Sequence, residues 1–152
     1  TIVKIYLPIK PCEETNVNWC DESENLNGSG ELILIVDDEP AIRKITKSSL
    51  EAYNYRVLTA SNGIEALEIY TKYQQEINLI LLDMMMPEMD GETTIGVLQK
   101  INAKVKIVAI SGLVFNYDSA SEDSLNVKAF IPKPFTGKDL LHAIAKVSRE
   151  FR

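Results

Sequence analysis

Five residues with the chemistry to bind a cation and a phosphoryl group each follow a short apolar run. They are two consecutive acids, a third acid, a hydroxyl and an ammonium: Asp37, Asp38, Asp83, Ser111 and Lys133. Three carboxylates held together would repel one another, and at least one pKa would rise unless a cation joined them. A few carboxylates with several bound waters are the ligands that suit Mg²⁺. The five residues therefore predict a magnesium site, provided that the fold brings them together.

The same side chains predict a reaction. Lys133 would hold a phosphoryl oxygen as a point charge, and the hydroxyl of Ser111 could donate to another. A carboxylate between them could act as a nucleophile and form an aspartyl-phosphate. Each residue also has a purely structural interpretation, since the paired acids could begin a helix, Ser111 could be a turn residue and Lys133 could be solvated. Their shared position at the ends of apolar runs favours a functional site.

The apolar runs supply the elements that position these residues. Five runs have the length and composition of buried strands, covering Leu32–Val36, Tyr55–Thr59, Leu79–Leu82, Val105–Ile110 and Lys128–Ile131. Strands that are joined through helices run parallel, and their carboxyl ends meet at one edge of the sheet. We therefore predict an α/β fold over residues 31–152, a doubly wound five-stranded parallel sheet of flavodoxin-like (βα)5 type.

Helical spacing between the runs predicts which helix faces are buried. Pro40 suits the first turn of the first helix, Asn62 with Glu65 predicts a capping box for the second, and Thr136 would cap the last. The region 113–126 gives the weakest helix prediction. The predicted buried faces are Ile42, Ile45, Ser49 and Tyr53 in the first helix, Ile64, Leu67 and Tyr70 in the second, and Leu140, Leu141, Ile144 and Val147 in the last.

Composition and charge argue against several classes of protein. The 152 residues are 45% hydrophobic and 25% charged, which is typical of a soluble globular chain. No run approaches the roughly 18 apolar residues of a membrane span. The net charge of −6 argues against a nucleic-acid surface. We therefore expect a cytoplasmic location, with no nucleic-acid partner and no membrane contact by this chain.

The first thirty residues differ from the rest. Residues 1–10 are partly alternating and predict a single strand separated from its sheet, whereas residues 11–30 contain five acids and no Lys or Arg. That second stretch is predicted to be an acidic, flexible linker. Its two cysteines, Cys12 and Cys20, lack the spacing and the histidines of a zinc site.

The motifs around the five residues resemble those of the receiver domain of two-component response regulators. The resemblance covers residues 31 to about 150 in the family's order and spacing. The matching motifs are Asp37-Asp38, Asp83 with Met86-Pro87 and Asp90-Gly91, Ser111-Gly112, and Lys133-Pro134-Phe135. The resemblance implies that Asp83 is the phospho-acceptor, that Asp38 and Asp83 bind Mg²⁺ directly, that Asp37 acts mostly through water, and that the main-chain carbonyl of Met85 completes the protein ligands.

The resemblance also implies how the domain responds to the phosphoryl group. Ser111 and Lys133 would hold that group, and Ser111 would move toward it while an aromatic residue on the fifth strand turns inward. That aromatic is Phe130 here, where tyrosine is commoner, and a plain core role for Phe130 is as well supported as a switch role. The bond between Lys133 and Pro134 is expected to be cis, an isomer that X–Pro bonds adopt at modest cost.

Partners and domain context follow from the same resemblance. The phosphoryl donor would be a phosphohistidine in the dimerisation and phosphotransfer domain of a histidine kinase or in a histidine phosphotransfer protein, since His142 does not lie on a suitable helical bundle. Residues 1–10 resemble the last strand of a histidine-kinase ATP-binding domain, so that the parent chain would be a hybrid sensor kinase. The alternative is an Mg²⁺-dependent phosphohydrolase with an Asp nucleophile. The oligomeric state is left open.

Overall fold

A parallel five-stranded sheet forms the centre of the computed structural model, which describes residues 26–112 and 125–149. The strand order across the sheet is β2-β1-β3-β4-β5. The strands are β1 (Leu32–Val36), β2 (Arg56–Ala60), β3 (Ile77–Asp83), β4 (Ile107–Ser111) and β5 (Ala129–Pro132). The helices are α1 (Pro40–Ala52), α2 (Gly63–Tyr73), α3 (Gly91–Ile101) and α4 (Gly137–Arg149). This is the flavodoxin-like order, and the predicted fold is confirmed.

Helices cover both faces of the sheet. On one face α1 and α4 pack over alternate strand residues, including Ile35, Leu81 and Ile110. On the other face α2 and α3 cover the intervening residues, including Val36, Leu82 and Ala109. Because both faces are buried, the strands are continuous apolar runs rather than alternating ones, as in other parallel sheets. The prediction of strands from apolar runs rested on this feature.

The strand register places the ends of β1 and β3 side by side. Val36 is paired with Leu82 across these two neighbouring strands, and on the other side of β3, Asp83 is paired with Ile110 of β4. The chain leaves β1 at Asp37 in the direction opposite to the one it takes from β3, because the strand order reverses at this point. Such a topological switch point is where ligands bind in open α/β sheets.

The predicted buried face of α1 was wrong at Ile45 and Tyr53, whereas Ile42 and Ser49 are half-buried. Ile45 is 68% exposed, and the helix instead buries Thr46 and Leu50. Tyr53 lies beyond the end of α1 and is also exposed. The predicted and the observed buried faces of α1 are related by turning the helix about its axis by one residue position. Which face is buried depends on how α1 packs against the sheet and α4.

The predicted face of α2 was correct at Tyr70 and wrong at Ile64, which is 52% exposed. Close packing of α2 against α3 explains the difference. A Cβ atom at Gly63 would collide with Thr94 Oγ1, so the small residue lies at the contact. Burying small residues at Gly63 and Ala66 turns the larger Ile64 outward. The predicted face of α4, by contrast, is buried at all four positions.

The helix caps agree with the sequence motifs. The Asn62 side chain accepts a hydrogen bond from the Glu65 amide at 2.8 Å. At the start of α4, the Thr136 amide donates to Asp139 Oδ2 at 2.8 Å. Helix α3 is capped by Asp90, whose carboxylate accepts from the Thr93 amide at 2.8 Å. Because Asp90 caps α3, the acid at the end of β3, Asp83, is not needed as a helix cap.

Residues 26–30 are fixed to the domain, although they belong to the predicted linker. We call this segment the strap. The Gly28 amide donates to Tyr53 O at 2.8 Å, and the Tyr55 hydroxyl donates to Leu26 O at 3.3 Å. The Leu26 side chain packs against the core beneath α1 and α4. Residues 1–10, the linker residues before Leu26 and most of the weak helix prediction lie outside the described residues.

Removing the strap is expected to destabilise the domain. A chain that begins at Glu31 should lose about 1–3 kcal/mol of unfolding free energy, because it lacks the Leu26 contact and several hydrogen bonds. Urea unfolding followed by circular dichroism measures the difference. A chain that begins at Leu26 is the matched control, because it keeps the strap. Equal stability of the two shortened chains would show that the strap contributes nothing.

Candidate functional site

Three carboxylates meet at the carboxyl edge between β1 and β3. Asp37 is 1% exposed and Asp83 is 2% exposed, while Asp38 is the most exposed of the three. One oxygen from each of these acids can be chosen so that all three lie within 4.8 Å of one another. The apolar runs of β1 and β3 carry these acids to the edge, since each run ends where the next residue leaves the core. The structure thus brings the three predicted acids together.

Lys133 joins two of these acids from the loop after β5. Its ammonium donates to Asp83 Oδ2 at 2.5 Å and lies 3.4 Å from Asp37 Oδ2. The Lys133 amide donates to the main-chain oxygen of Ser111 at 2.8 Å, which ties the end of β4 to the same loop. The ammonium therefore compensates charge at the two most buried acids.

Burial and charge shift two pKa values in this cluster. Burial raises the pKa of Asp37, an effect opposed by a hydrogen bond from the Glu39 amide and by the charge of Lys133. Burial by itself would lower the pKa of Lys133, but its hydrogen bond to Asp83 and the two acidic charges outweigh that effect and raise it. The ammonium is thus held in its charged form, while Asp37 carries a net penalty for ionisation.

Main-chain amides hold the remaining oxygens of the two buried acids. The Met85 amide donates to Asp83 Oδ1 at 3.0 Å, and the Glu39 amide donates to Asp37 Oδ1 at 2.8 Å. Each buried carboxylate therefore has a partner on both oxygens. For the Asp38 side chain, by contrast, we find no hydrogen bond or ion pair within residues 26–112 and 125–149. Its carboxylate is free to accept a ligand from outside the chain.

The other predicted site residues lie around this cluster. Ser111 is buried at the end of β4, one residue past the partner of Asp83 in the register. Phe130 is half-buried in β5 and packs against the core on the α2–α3 face. The Lys133–Pro134 bond is cis, the isomer that the resemblance implied. The Met85 side chain is 56% exposed beside the site.

Arg43 contacts the main chain of the acid cluster, and the sequence patterns did not predict this contact. Its Nη1 atom donates to the main-chain oxygen of Asp37 at 2.5 Å from the first turns of α1. Ile45, assigned to the core, is instead exposed on the same helix. His142 is exposed on α4. The spacing of Arg43 from the paired acids was visible in the sequence, but its target, a main-chain oxygen, was not.

The fold and the site define a class of protein: a flavodoxin-like α/β domain with an acid cluster, bridged by a lysine, at the topological switch point. Residues 33–145 match the response regulator receiver domain family. The match covers more than half of the chain, and the protein therefore belongs to this family as a receiver domain of a two-component system.

Curated relatives include proteins with different overall organisation. The sensor kinase CckA of Brucella abortus (strain 2308) is 32% identical over 127 residues, which is 84% of this chain and 13% of that protein. The probable transcriptional regulator ycf27 of Cyanidium caldarium is 38% identical over 122 residues, or 79% of this chain and 47% of that protein. The chain thus spans less than half the length of either relative.

Solved structures share the fold. The response regulator TrrA of Thermotoga maritima, crystallised in complex with Mg²⁺–BeF, superposes with a TM-score of 0.66 and 30% sequence identity, covering 77% of this chain and 98% of that one.

In the parts of the chain that the structure describes, no helix combines the length and apolarity that a membrane span requires.

Replacing Asp37 with Asn is expected to stabilise the metal-free protein. The raised pKa of Asp37 means that ionisation costs folding free energy, and this cost grows as pH rises through the folded-state pKa. The variant should therefore unfold at a higher temperature in EDTA at pH 7.5, by roughly 2–5 °C. The gain should shrink as pH falls toward the unfolded-state pKa. A lower unfolding temperature for Asp37→Asn at pH 7.5 would show that the amide and lysine contacts outweigh the burial cost.

Proposed function

We propose that the chain is a phosphoacceptor module that takes a phosphoryl group from a phosphohistidine onto Asp83, with Mg²⁺ as cofactor, and passes it to a histidine phosphotransfer partner. The observation that carries the proposal is the Asp83 carboxylate, which is buried beside two further acids and held by Lys133. A buried acid with this combination of neighbours has little structural purpose, because Asp90 already caps the following helix.

The donor set fits a magnesium ion. Three carboxylates whose oxygens approach within 4.8 Å supply hard oxygen ligands, and Asp38 has no partner within the described residues to compete with a cation. Asp38 and Asp83 would bind the ion directly, Asp37 would act mostly through water, and the main-chain oxygen of Met85 would complete the protein ligands. When bound, Mg²⁺ would neutralise charge on the phosphoryl oxygens. The similar protein TrrA was crystallised in complex with Mg²⁺–BeF, which supports a magnesium site in this chain.

The chain's own residues would perform the transfer as an in-line displacement. A carboxylate oxygen of Asp83 would attack phosphorus, the new O–P bond would form as the P–N bond to the donor imidazole breaks, and the imidazole would leave with the electron pair and take up a proton. The Met85 amide holds the Asp83 carboxylate in one orientation at 3.0 Å. This fixed orientation would reduce the entropy cost of the reaction.

Lys133 and Ser111 would share the charge of the transferred group. The Lys133 ammonium now donates to Asp83 Oδ2, the position next to which a phosphoryl oxygen would lie. Ser111 is placed at the end of β4 and is tied to Lys133 through the main chain at 2.8 Å. A displacement of Ser111 toward the phosphoryl group would therefore be transmitted to the β5 loop, and inward rotation of half-buried Phe130 would complete the proposed switch.

Phosphorylation by a small donor tests the proposal directly. The chain should gain one phosphoryl group, about 80 Da, when it is incubated with acetyl phosphate and Mg²⁺. Asp83→Asn should gain none, because a side-chain amide is too weak a nucleophile to attack the phosphoryl donor. Intact-mass spectrometry measures both, with the thermal unfolding of the variant as a control for folding.

The same assay distinguishes the proposed phosphoacceptor from the alternative, an Mg²⁺-dependent phosphohydrolase. A phosphohydrolase would release phosphate from small phosphoesters with many turnovers and no stoichiometric adduct. An adduct that forms without Mg²⁺, or that persists in Asp83→Asn, would overturn the proposed site. Multiple turnover of a phosphoester without an adduct would favour the hydrolase.

An apolar groove beside the site suits a helical partner. It has a volume of about 500 Å³ and runs between the outer side of α1 and the loop after β5. Its lining includes Ile42, Ile45 and Phe135, together with the site residue Lys133. Exposed apolar surface next to a charged site indicates an interaction surface. We assign this groove to the helix of the partner that bears the phosphohistidine.

Replacing Ile45 with Asp should slow transfer from the protein donor and leave transfer from a small donor unchanged. An acid in the groove would cost binding energy only when a partner buries it, and about a tenfold slower transfer is expected. The rates are measured with phosphoramidate and with a phosphorylated kinase domain that transfers to the wild-type chain. Ile101→Asp is the matched control, since Ile101 is an exposed isoleucine at the opposite end of the sheet. An equal loss in both variants, or a loss with phosphoramidate, would contradict the assignment.

The wider context is also proposed. The similarity to the sensor kinase CckA, together with the acidic linker and residues 1–10, supports a hybrid histidine kinase as the parent chain. The similarity to transcriptional regulators shows that receivers of this kind also occur in other arrangements. The net charge of −6 argues against a nucleic-acid surface on this chain, and we propose a cytoplasmic location for it.

A further inference from the structure

Asp38 differs from the other two acids in how it is held. Asp37 and Asp83 each have a main-chain amide on one oxygen and Lys133 near the other. The Asp38 carboxylate has no such partner in the described part of the chain. Its position before a cation binds is therefore set by the main chain that leads into it. The peptide between Asp37 and Asp38 is the last unit of that main chain.

Arg43 fixes this peptide. The Nη1 atom of Arg43 donates to the main-chain oxygen of Asp37 at 2.5 Å, and that oxygen belongs to the peptide that joins the two acids. The preceding peptide is held as well, since the Asp37 amide donates to Ala60 O at the end of β2 at 3.3 Å. With hydrogen bonds to both main-chain polar atoms of Asp37, the peptide that leads to Asp38 has fewer orientations available, so the Asp38 carboxylate is restricted to fewer positions relative to Asp83.

Glu65, in the first turn of α2, is held by Ser61 of the loop after β2. The pKa of Glu65 lies below its usual value, chiefly because the Ser61 hydroxyl donates to its carboxylate, followed by the Ser61 amide, with a smaller contribution from the charge of Arg43. The two Ser61 hydrogen bonds are 2.6 and 2.7 Å long. Glu65 is thus a fixed acid, and the charge of Arg43 favours its ionised form.

We propose that Arg43 is a positioning residue for the magnesium site: by holding the peptide between Asp37 and Asp38, it preorganises the acid that binds the cation. This inference rests on the proposed function, since it concerns the same cation. Arg43 does not touch the phosphoryl group or the cation. Its effect should therefore be seen in the affinity for Mg²⁺ and should disappear from the reaction rate once Mg²⁺ is saturating.

The test compares two substitutions that remove the same charge from neighbouring positions of α1. Arg43→Met removes the donor to Asp37 O, whereas Lys44→Met removes an exposed cation. Isothermal titration of the full chain with MgCl₂ should show about fivefold weaker binding for Arg43→Met, and less than twofold weaker binding for Lys44→Met. At saturating Mg²⁺, the adduct with acetyl phosphate should form at the wild-type rate in both variants.

Each other outcome decides against the inference. Equal weakening in the two variants would show an effect of net charge, and wild-type affinity in Arg43→Met would show that the hydrogen bond is irrelevant to the cation. A slower reaction at saturating Mg²⁺ would show a role beyond positioning. If Arg43→Met does not fold, Arg43→Lys, which keeps the charge and loses the forked guanidinium, carries the same test: weaker binding supports the proposal and unchanged binding refutes it.

Measuring Mg²⁺ binding and adduct formation in the wild-type chain distinguishes a failure of this inference from a failure of the proposed function. If the wild type neither binds Mg²⁺ nor forms the adduct, the proposed function fails. If the wild type does both and Arg43→Met binds Mg²⁺ equally well, only the role of Arg43 fails.

Discussion

Buried negative charge at one edge of the sheet is the constraint on which the rest of the structure depends. Asp37 and Asp83 lie almost completely out of contact with solvent, next to a third acid. Unpaired carboxylates in such a place would cost several kcal/mol each. Lys133 offsets much of this cost, and it does so from the loop after β5, a strand that lies two places away from β3 in the sheet. The site therefore exists only when the whole sheet is assembled.

The sharing of one ammonium between buried acids could serve a signalling domain. Before phosphorylation, one ammonium is shared between two carboxylates, with distances of 2.5 and 3.4 Å. A phosphoryl group on Asp83 would compete for that ammonium, and the main-chain bond between Lys133 and Ser111 would carry the change into β4 and β5. Charge rearrangement at the site would thus reach the ends of β4 and β5.

The sequence was most informative where one physical rule applied. The limits of β1 were predicted to the residue, and the three acids were placed together, because buried parallel strands are apolar runs whose carboxyl ends share an edge. It was least informative where packing decides. Ile45 and Ile64 were assigned to buried faces and are exposed, since helical spacing leaves the rotation of a helix uncertain by one residue. The strap and the Arg43 contact depend on main-chain oxygens, which no side-chain pattern reveals.

The most direct measurement of the central claim is to locate the phosphoryl group on the chain. Borohydride reduces an aspartyl-phosphate to homoserine, so that peptide mapping by tandem mass spectrometry identifies the modified acid. Our account predicts homoserine at position 83 alone, in protein treated with acetyl phosphate and Mg²⁺. Homoserine at position 37 or 38, or a phosphoryl adduct that borohydride does not convert, would contradict the assignment of Asp83 as the acceptor.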